Sequence, residues 1–225
     1  MGRAIGQIIP LAAGVALSPL PIIAVILLLT GPRGRGSGMS FLAGWLLGLA
    51  TVGTLVLLAA DGANAGGSGA PAVWAGVVLI ALGVLLAIVG VRQWRGRPAE
   101  GESQELPGWM RTVESFTAPK AAAVAVGFAA AKPKNLLLTA GAATAIAQTG
   151  TGASQQAGAM ATFVVLASVG VASPVAVSLL MGDRAAGMLE RMRDWLVREN
   201  QTIIAVICIL IAAKLIGDGI TGLSS

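Results

Sequence analysis

Gly14-Val-Ala-Leu-Ser18-Pro19-Leu20-Pro21-Ile22 and Gly127-Phe-Ala-Ala-Ala-Lys132-Pro133-Lys134-Asn135-Leu-Leu137 decide the fold. Each stretch lies in the middle of a long apolar run, the first over 5–30 and the second over 120–147. At ~1.5 Å of rise per residue each proline break stands roughly 20 Å from either end of its run. A proline inside a helix removes an N–H, frees a backbone carbonyl and bends the chain. Hydrocarbon does not satisfy freed backbone groups, so such a break has to face protein or water. Interruptions at matching places in the first helix of each half point to the central binding site of a transporter.

Four further apolar runs lie outside these two, at 39–60, 72–91, 156–181 and 202–221, each about the 20 residues a membrane span requires. The 225-residue chain is 56% hydrophobic and 11% charged. Soluble proteins carry roughly 25% charged residues, so the solvent of this surface is lipid. The sequence thus predicts an all-α membrane protein with six transmembrane helices, the first and fourth broken at mid-membrane. Residues 1–91 form a first three-helix repeat, 92–119 a cytoplasmic linker and 120–225 a second repeat. Three is odd, so the second repeat has inverted topology relative to the first.

Lys and Arg in the five connectors number 2, 0, 4, 0 and 4, counting Arg33 and Arg35, then Arg92, Arg95, Arg97 and Arg111, then Arg184, Arg191, Arg193 and Arg198. Positive loops stay in the cytoplasm. This alternation predicts a multi-pass protein of the cell inner (plasma) membrane with both termini outside. It also explains the net charge of +5 as topology, with no nucleic-acid partner.

Two connector stretches have apolar residues at helical spacing opposite arginines: Met188, Met192, Trp195 and Leu196 within 183–200, and Trp109, Val113 and Phe116 within 108–117. They read as helices lying on the membrane surface, drawn to anionic head groups, or as connectors packing on the bundle. Gly76, Gly83 and Gly90, with Gly44 and Gly48, give faces along which backbones approach closely. These serve packing inside the bundle or, alternatively, a homodimer seam.

The chemistry available is narrow. There is no His or Tyr and a single Cys, Cys208, which leaves no Ser-His nucleophile, no HExxH motif and no Cys-based metal set. An enzyme is not expected, nor catalytic residues, a metal site or a cofactor. Charges inside a bilayer cost at least about 2.5–3.5 kcal/mol each and need a reason. Lys214 and Asp218, spaced i, i+4, fit a structural bridge or a coupling pair. Lys132 and Lys134 have no carboxylate in their own segment, and the other acids in or beside apolar runs are Asp61 and Asp218, near the outer side. The surplus favours an anionic ligand, helped by half-helix N-termini at the breaks. Ser18, Pro19, Pro21, Lys132, Pro133, Lys134 and Asn135 are the expected substrate-binding residues.

Ser18-Pro19-Leu20-Pro21-Ile22 and Lys132-Pro133-Lys134-Asn135-Leu136-Leu137 resemble the Pro-Gly-Pro and Asn-Pro-Lys elements of the lysine-exporter superfamily, and the six-helix plan agrees over the whole chain. The length, glycine-rich loops and Lys-Pro-Lys-Asn variant are most similar to its actinobacterial branch of glycolipid-addressing proteins. Leu20 stands where the amino-acid exporters have glycine and Lys132 where they have asparagine, which weighs against amino-acid export. The resemblance implies an exporter or flippase-like carrier that moves an anionic or glycosylated cell-envelope lipid outward, with membrane lipids around it. Export of an amino acid or small metabolite is the alternative within transport. A non-transporting accessory subunit of larger lipid-transport machinery is the alternative outside it.

Overall fold

The computed structural model describes residues 2–65, 71–96 and 112–224. Eight α-helices run through them: α1 (Gly2–Ala16), α2 (Pro19–Thr30), α3 (Gly34–Ala65), α4 (Pro71–Arg95), α5 (Ala118–Ala130), α6 (Pro133–Ala147), α7 (Ala153–Met181) and α8 (Ala186–Ser224). A 3₁₀ turn over Gly182–Ala185 joins the last two, and no strand occurs among the described residues. Helices α3, α4, α7 and α8 are each long and apolar enough to cross a bilayer. The pairs α1/α2 and α5/α6 meet the same test as bent units, broken by 53° and 65°. The protein is therefore a multi-pass membrane protein of four to six spans.

Both breaks follow from local chemistry. A residue before proline is pushed out of the helical region, and Ser18 (φ −99, ψ 100) and Lys132 (φ −75, ψ 120) are extended. Proline then opens the next helix, where its missing N–H costs nothing, at Pro19 and Pro133.

Packing relies on small residues. Helix α4 lies against α8: a Cβ at Gly83 would stand 2.7 Å from Ile216 Cγ1, and one at Gly90 3.0 Å from Ile209 Cγ1. Helix α3 lies against α5 and α6, with Gly44 on the Ala122 backbone and Gly48 on Val126 and Ala129. Helices α1 and α2 lie against α7, α2 also against α8, and α4 also against α6. Of the two roles open to these glycine faces, internal packing is the one the fold uses.

The connectors bearing arginine converge at one end. Arg33 Nη1 donates to the Ser115 carbonyl (2.6 Å), Ser37 Oγ to the Phe116 carbonyl (3.0 Å) and Arg35 Nη2 to the Ser178 carbonyl (3.5 Å). These bonds bring 31–38 and 112–117 beside the end of α7.

Two expectations change. Residues 186–224 form one continuous helix of 39 residues, so 183–200 is joined without a break to the last apolar run rather than standing as a helix of its own. At ~1.5 Å per residue it is ~58 Å long, well beyond the ~30 Å hydrocarbon layer. Leu189 and Leu196 are buried, whereas Met188 and Trp195 are exposed; the buried stripe is shifted by one residue because the turn at 182–185 sets the helix phase. Between α4 and α5, Val113 is buried and Phe116 packs partly on the core, so this piece docks on the bundle. Trp109, Arg97 and Arg111 lie outside the described residues.

Gly170 on α7 sits directly on the Ala16 carbonyl at the first break, and a Cβ there has no room. Gly127 has nothing within 4 Å of the same position. Overpacking costs about 1–3 kcal/mol, so Gly170→Ala should lower the melting temperature of the purified protein while Gly127→Ala does not. Equal melting of the two variants would contradict this packing.

Candidate functional site at the crossing of the two breaks

Pro19 and Pro21 deprive α1 of the donors its last carbonyls need, since the Val15 and Leu17 carbonyls would otherwise accept from residues 19 and 21. For Leu17, and for Gly14 one turn before the extended Ser18, a donor arrives from the other half of the chain. Lys134 Nζ donates to the Gly14 carbonyl (2.7 Å) and the Leu17 carbonyl (3.2 Å). A cation at a helix C-terminus also meets the negative end of the helix dipole. Ser18 Oγ donates to Asn135 Oδ1 (2.8 Å) rather than capping α2, and Asn135 Nδ2 donates to the Phe128 carbonyl at the end of α5 (3.0 Å). The two breaks thus meet and are tied by side chains 117 and 120 residues apart in sequence.

Ser18, Pro19, Pro21, Lys134 and Asn135 are all buried there. Lys132 and Pro133 point the other way: Pro133 is exposed and Lys132 half-buried. The Lys132 ammonium lies 5.4 Å from the Phe128 ring centroid, and Phe128 meets Phe41 of α3 edge-on at 6.3 Å. Among the described residues Lys132 has no ion-pair partner. The two lysines, read from the sequence as one anion site, have different environments. One is spent on backbone carbonyls, and the other stands as a cation beside an aromatic pair and the positive N-terminal end of α6.

Lys214 and Asp218 form an ion pair within α8, both side chains partly exposed. They do not join the crossing. No cluster of three metal-ligating side chains occurs among the described residues. The sequence reading missed Phe41, Phe128 and the carbonyls of Gly14 and Leu17. Pro21 carried a signal for Leu17, because a proline four residues on always orphans a helical carbonyl.

A membrane-long helical bundle with this crossing agrees with the finding from comparison with known families. The profile of Sap, the sulfolipid-1-addressing protein family, matches residues 8–221. The chain belongs to this family. The match takes in both proline breaks and all of the helices that pack on them, so family membership rests on the whole bundle and not on one motif. No curated protein and no solved structure matches the chain.

An orphaned buried acceptor costs about 1–3 kcal/mol, and Lys134→Met orphans two. Lys132→Met removes only a cation–π contact. Thermal unfolding in detergent should therefore show a clear loss of stability for Lys134→Met, a smaller one for Lys134→Arg and little change for Lys132→Met. The reverse order would undo the division between the two lysines.

Proposed function

We propose that this protein is an exporter or flippase-like carrier that moves an anionic or glycosylated envelope lipid outward across the plasma membrane. The observation that carries the reading is the crossing itself, where two broken helices meet and present Lys132 with no ion-pair partner among the described residues. A cation beside a half-helix N-terminus favours a sulfate, phosphate or carboxylate. Addressing of a sulfolipid, for which the family is named, requires such a group to be handled in the membrane.

Six spans in two inverted repeats underlie this mechanism, as in the lysine-exporter superfamily that the proline motifs resemble. The helix neighbours support it. Exchanging α1/α2 with α5/α6, α3 with α7 and α4 with α8 turns the packing of α3 on α5 and α6 into that of α7 on α1 and α2. It turns α2 on α8 into α6 on α4, and leaves α4 on α8 unchanged. In this mechanism the repeats rock about the crossing, Lys132 meets the anionic group beside Phe128, and Lys134 with Asn135 and Ser18 holds the backbone that Pro19 and Pro21 break.

Purified protein in liposomes, given a fluorescent sulfated or phosphorylated lipid, should speed its movement between leaflets. Lys132→Gln should slow that movement at least about tenfold, the loss of one charge-assisted contact of ~1.4 kcal/mol or more, without lowering yield. Movement no faster than in empty liposomes would instead make the protein an accessory subunit, and full activity of Lys132→Gln would remove the anion site.

The arginine-bearing end faces the cytoplasm in this reading. Cys208 is buried, so a Cys208→Ser background serves for labelling. Gly152→Cys should react with an impermeant thiol reagent from outside intact cells, whereas Gly36→Cys and Arg191→Cys should not. Reversed labelling would turn the molecule over.

A further inference from the structure

The first part of α8 has two faces. Ala185, Leu189 and Leu196 are buried against the bundle and Met192 is partly buried. Arg184, Met188, Arg191, Trp195 and Arg198 are exposed, with Met188 at 44% and Trp195 at 54%. At ~100° per residue Met188, Arg191, Trp195 and Arg198 alternate along one stripe of α8, and Arg184 continues it from the 3₁₀ turn just before the helix. The acids flank it: Glu190 and Asp194 fall ~80–120° round the helix on one side, with Asp194 paired with Arg193 at 2.9 Å, and the half-buried Glu199 falls ~60° round on the other.

The stripe lies at a definite depth. Ile207 packs on Gly14, one turn from the first break, and Trp195 lies ~18 Å of helix nearer the arginine-bearing end. With the break near mid-bilayer, that depth is close to the edge of the hydrocarbon, whose half-thickness is ~15 Å. Helix α7 ends just before Arg184 with Leu179, Leu180 and Met181 exposed, Leu180 at 87%; Leu180 lies ~15 Å of helix beyond Gly170, which packs on Ala16 at the same break, and Arg198 ~14 Å from Ile207, so the two ends of the stripe both come near the edge of the hydrocarbon. Three guanidinium groups interleaved with a tryptophan and a methionine at this level match a layer of phosphodiesters over acyl chains. Trp sits in the interface, and each Arg attracts anionic lipid.

We propose that the Arg184–Met188–Arg191–Trp195–Arg198 stripe is a docking surface for anionic phospholipid head groups of the leaflet at the arginine-bearing end. It is separate from the crossing that holds Lys132. The proposal rests on the membrane-spanning reading but not on transport, since the lipid bound here is a resident of the bilayer. Its effect is to seat the α8 extension on the membrane surface on one side while Leu189 and Leu196 hold it to the bundle on the other.

The full chain in nanodiscs tests this, with spin-labelled phosphatidylglycerol or phosphatidylcholine as the probe. The wild-type protein should immobilise the anionic probe in preference to the zwitterionic one. Each arginine removed from the stripe should weaken that preference about fivefold, so an Arg184→Gln, Arg191→Gln, Arg198→Gln variant should show none. A matched triple variant at Arg33, Arg92 and Arg95 should keep most of it. Retention of the preference by the stripe variant, or its absence in the wild type, would overturn the proposal. Should the stripe variant fail to enter discs, hydrogen exchange of the wild-type chain decides: amides of 184–198 should exchange more slowly in discs containing phosphatidylglycerol than in phosphatidylcholine alone, and equal exchange counts against it. Lipid movement in liposomes is a separate readout, so failure here leaves the carrier reading standing.

Discussion

Everything in this bundle depends on how two sets of backbone carbonyls are satisfied where water is absent. A helix that stops inside an apolar bundle leaves acceptors that hydrocarbon cannot pair, and each would cost about 1–3 kcal/mol, a sizeable share of a protein's net stability. The chain meets this constraint by reciprocity. Lys134, at the start of α6, holds the end of α1, while Asn135 holds the end of its own preceding half-helix and accepts from Ser18. The second half thus completes the first, and the breaks are stable only when they touch.

That arrangement separates the surroundings of the two lysines. Lys134 is enclosed and directed at the carbonyl end of α1, where its charge is offset by two acceptors and a helix dipole. Lys132 precedes Pro133, has extended backbone, and its side chain leaves on the opposite side to lie over Phe128. Two residues of spacing in an extended-to-helical turn suffice to send two lysines in different directions. In the proposed mechanism the inner lysine maintains the hinge and the outer one meets the anion. Neither role is available to the other without rebuilding the turn.

Around the crossing, close approach is bought with glycine. Lipid tails give helices no hydrophobic reason to associate, so contact comes from van der Waals fit between backbones. Gly170 on the Ala16 carbonyl, Gly44 on the Ala122 backbone and Gly83 on Ile216 set the separations of α7 from α1, α3 from α5 and α4 from α8. The same economy makes the helices long. Helix α8 continues without interruption from its bundle-facing Leu189 to its outer end, so one element both spans and reaches beyond the hydrocarbon layer.

Much of this was legible in the chain. Low charge and six apolar runs specify a helical membrane protein, because bilayer thickness and backbone hydrogen bonding leave few other solutions. Pro19, Pro21 and Pro133 mark the breaks, because proline acts on its own neighbours through its ring and its missing N–H. The lysines were visible as unpaired charge at depth, and the motif resemblance led to the family. The tertiary structure alone decided where each side chain's partner lay. Gly14, Leu17 and Phe128 offer backbone carbonyls that carry no residue-specific signal, and Ser18 and Asn135 find each other across 117 positions. The phase of α8, which buries Leu189 and exposes Trp195, was likewise set by the turn at Gly182–Ala185 and the bundle it docks on. Local covalent chemistry breaks a helix wherever its sequence occurs, but a hydrogen bond between distant residues exists only once the fold has brought both ends together.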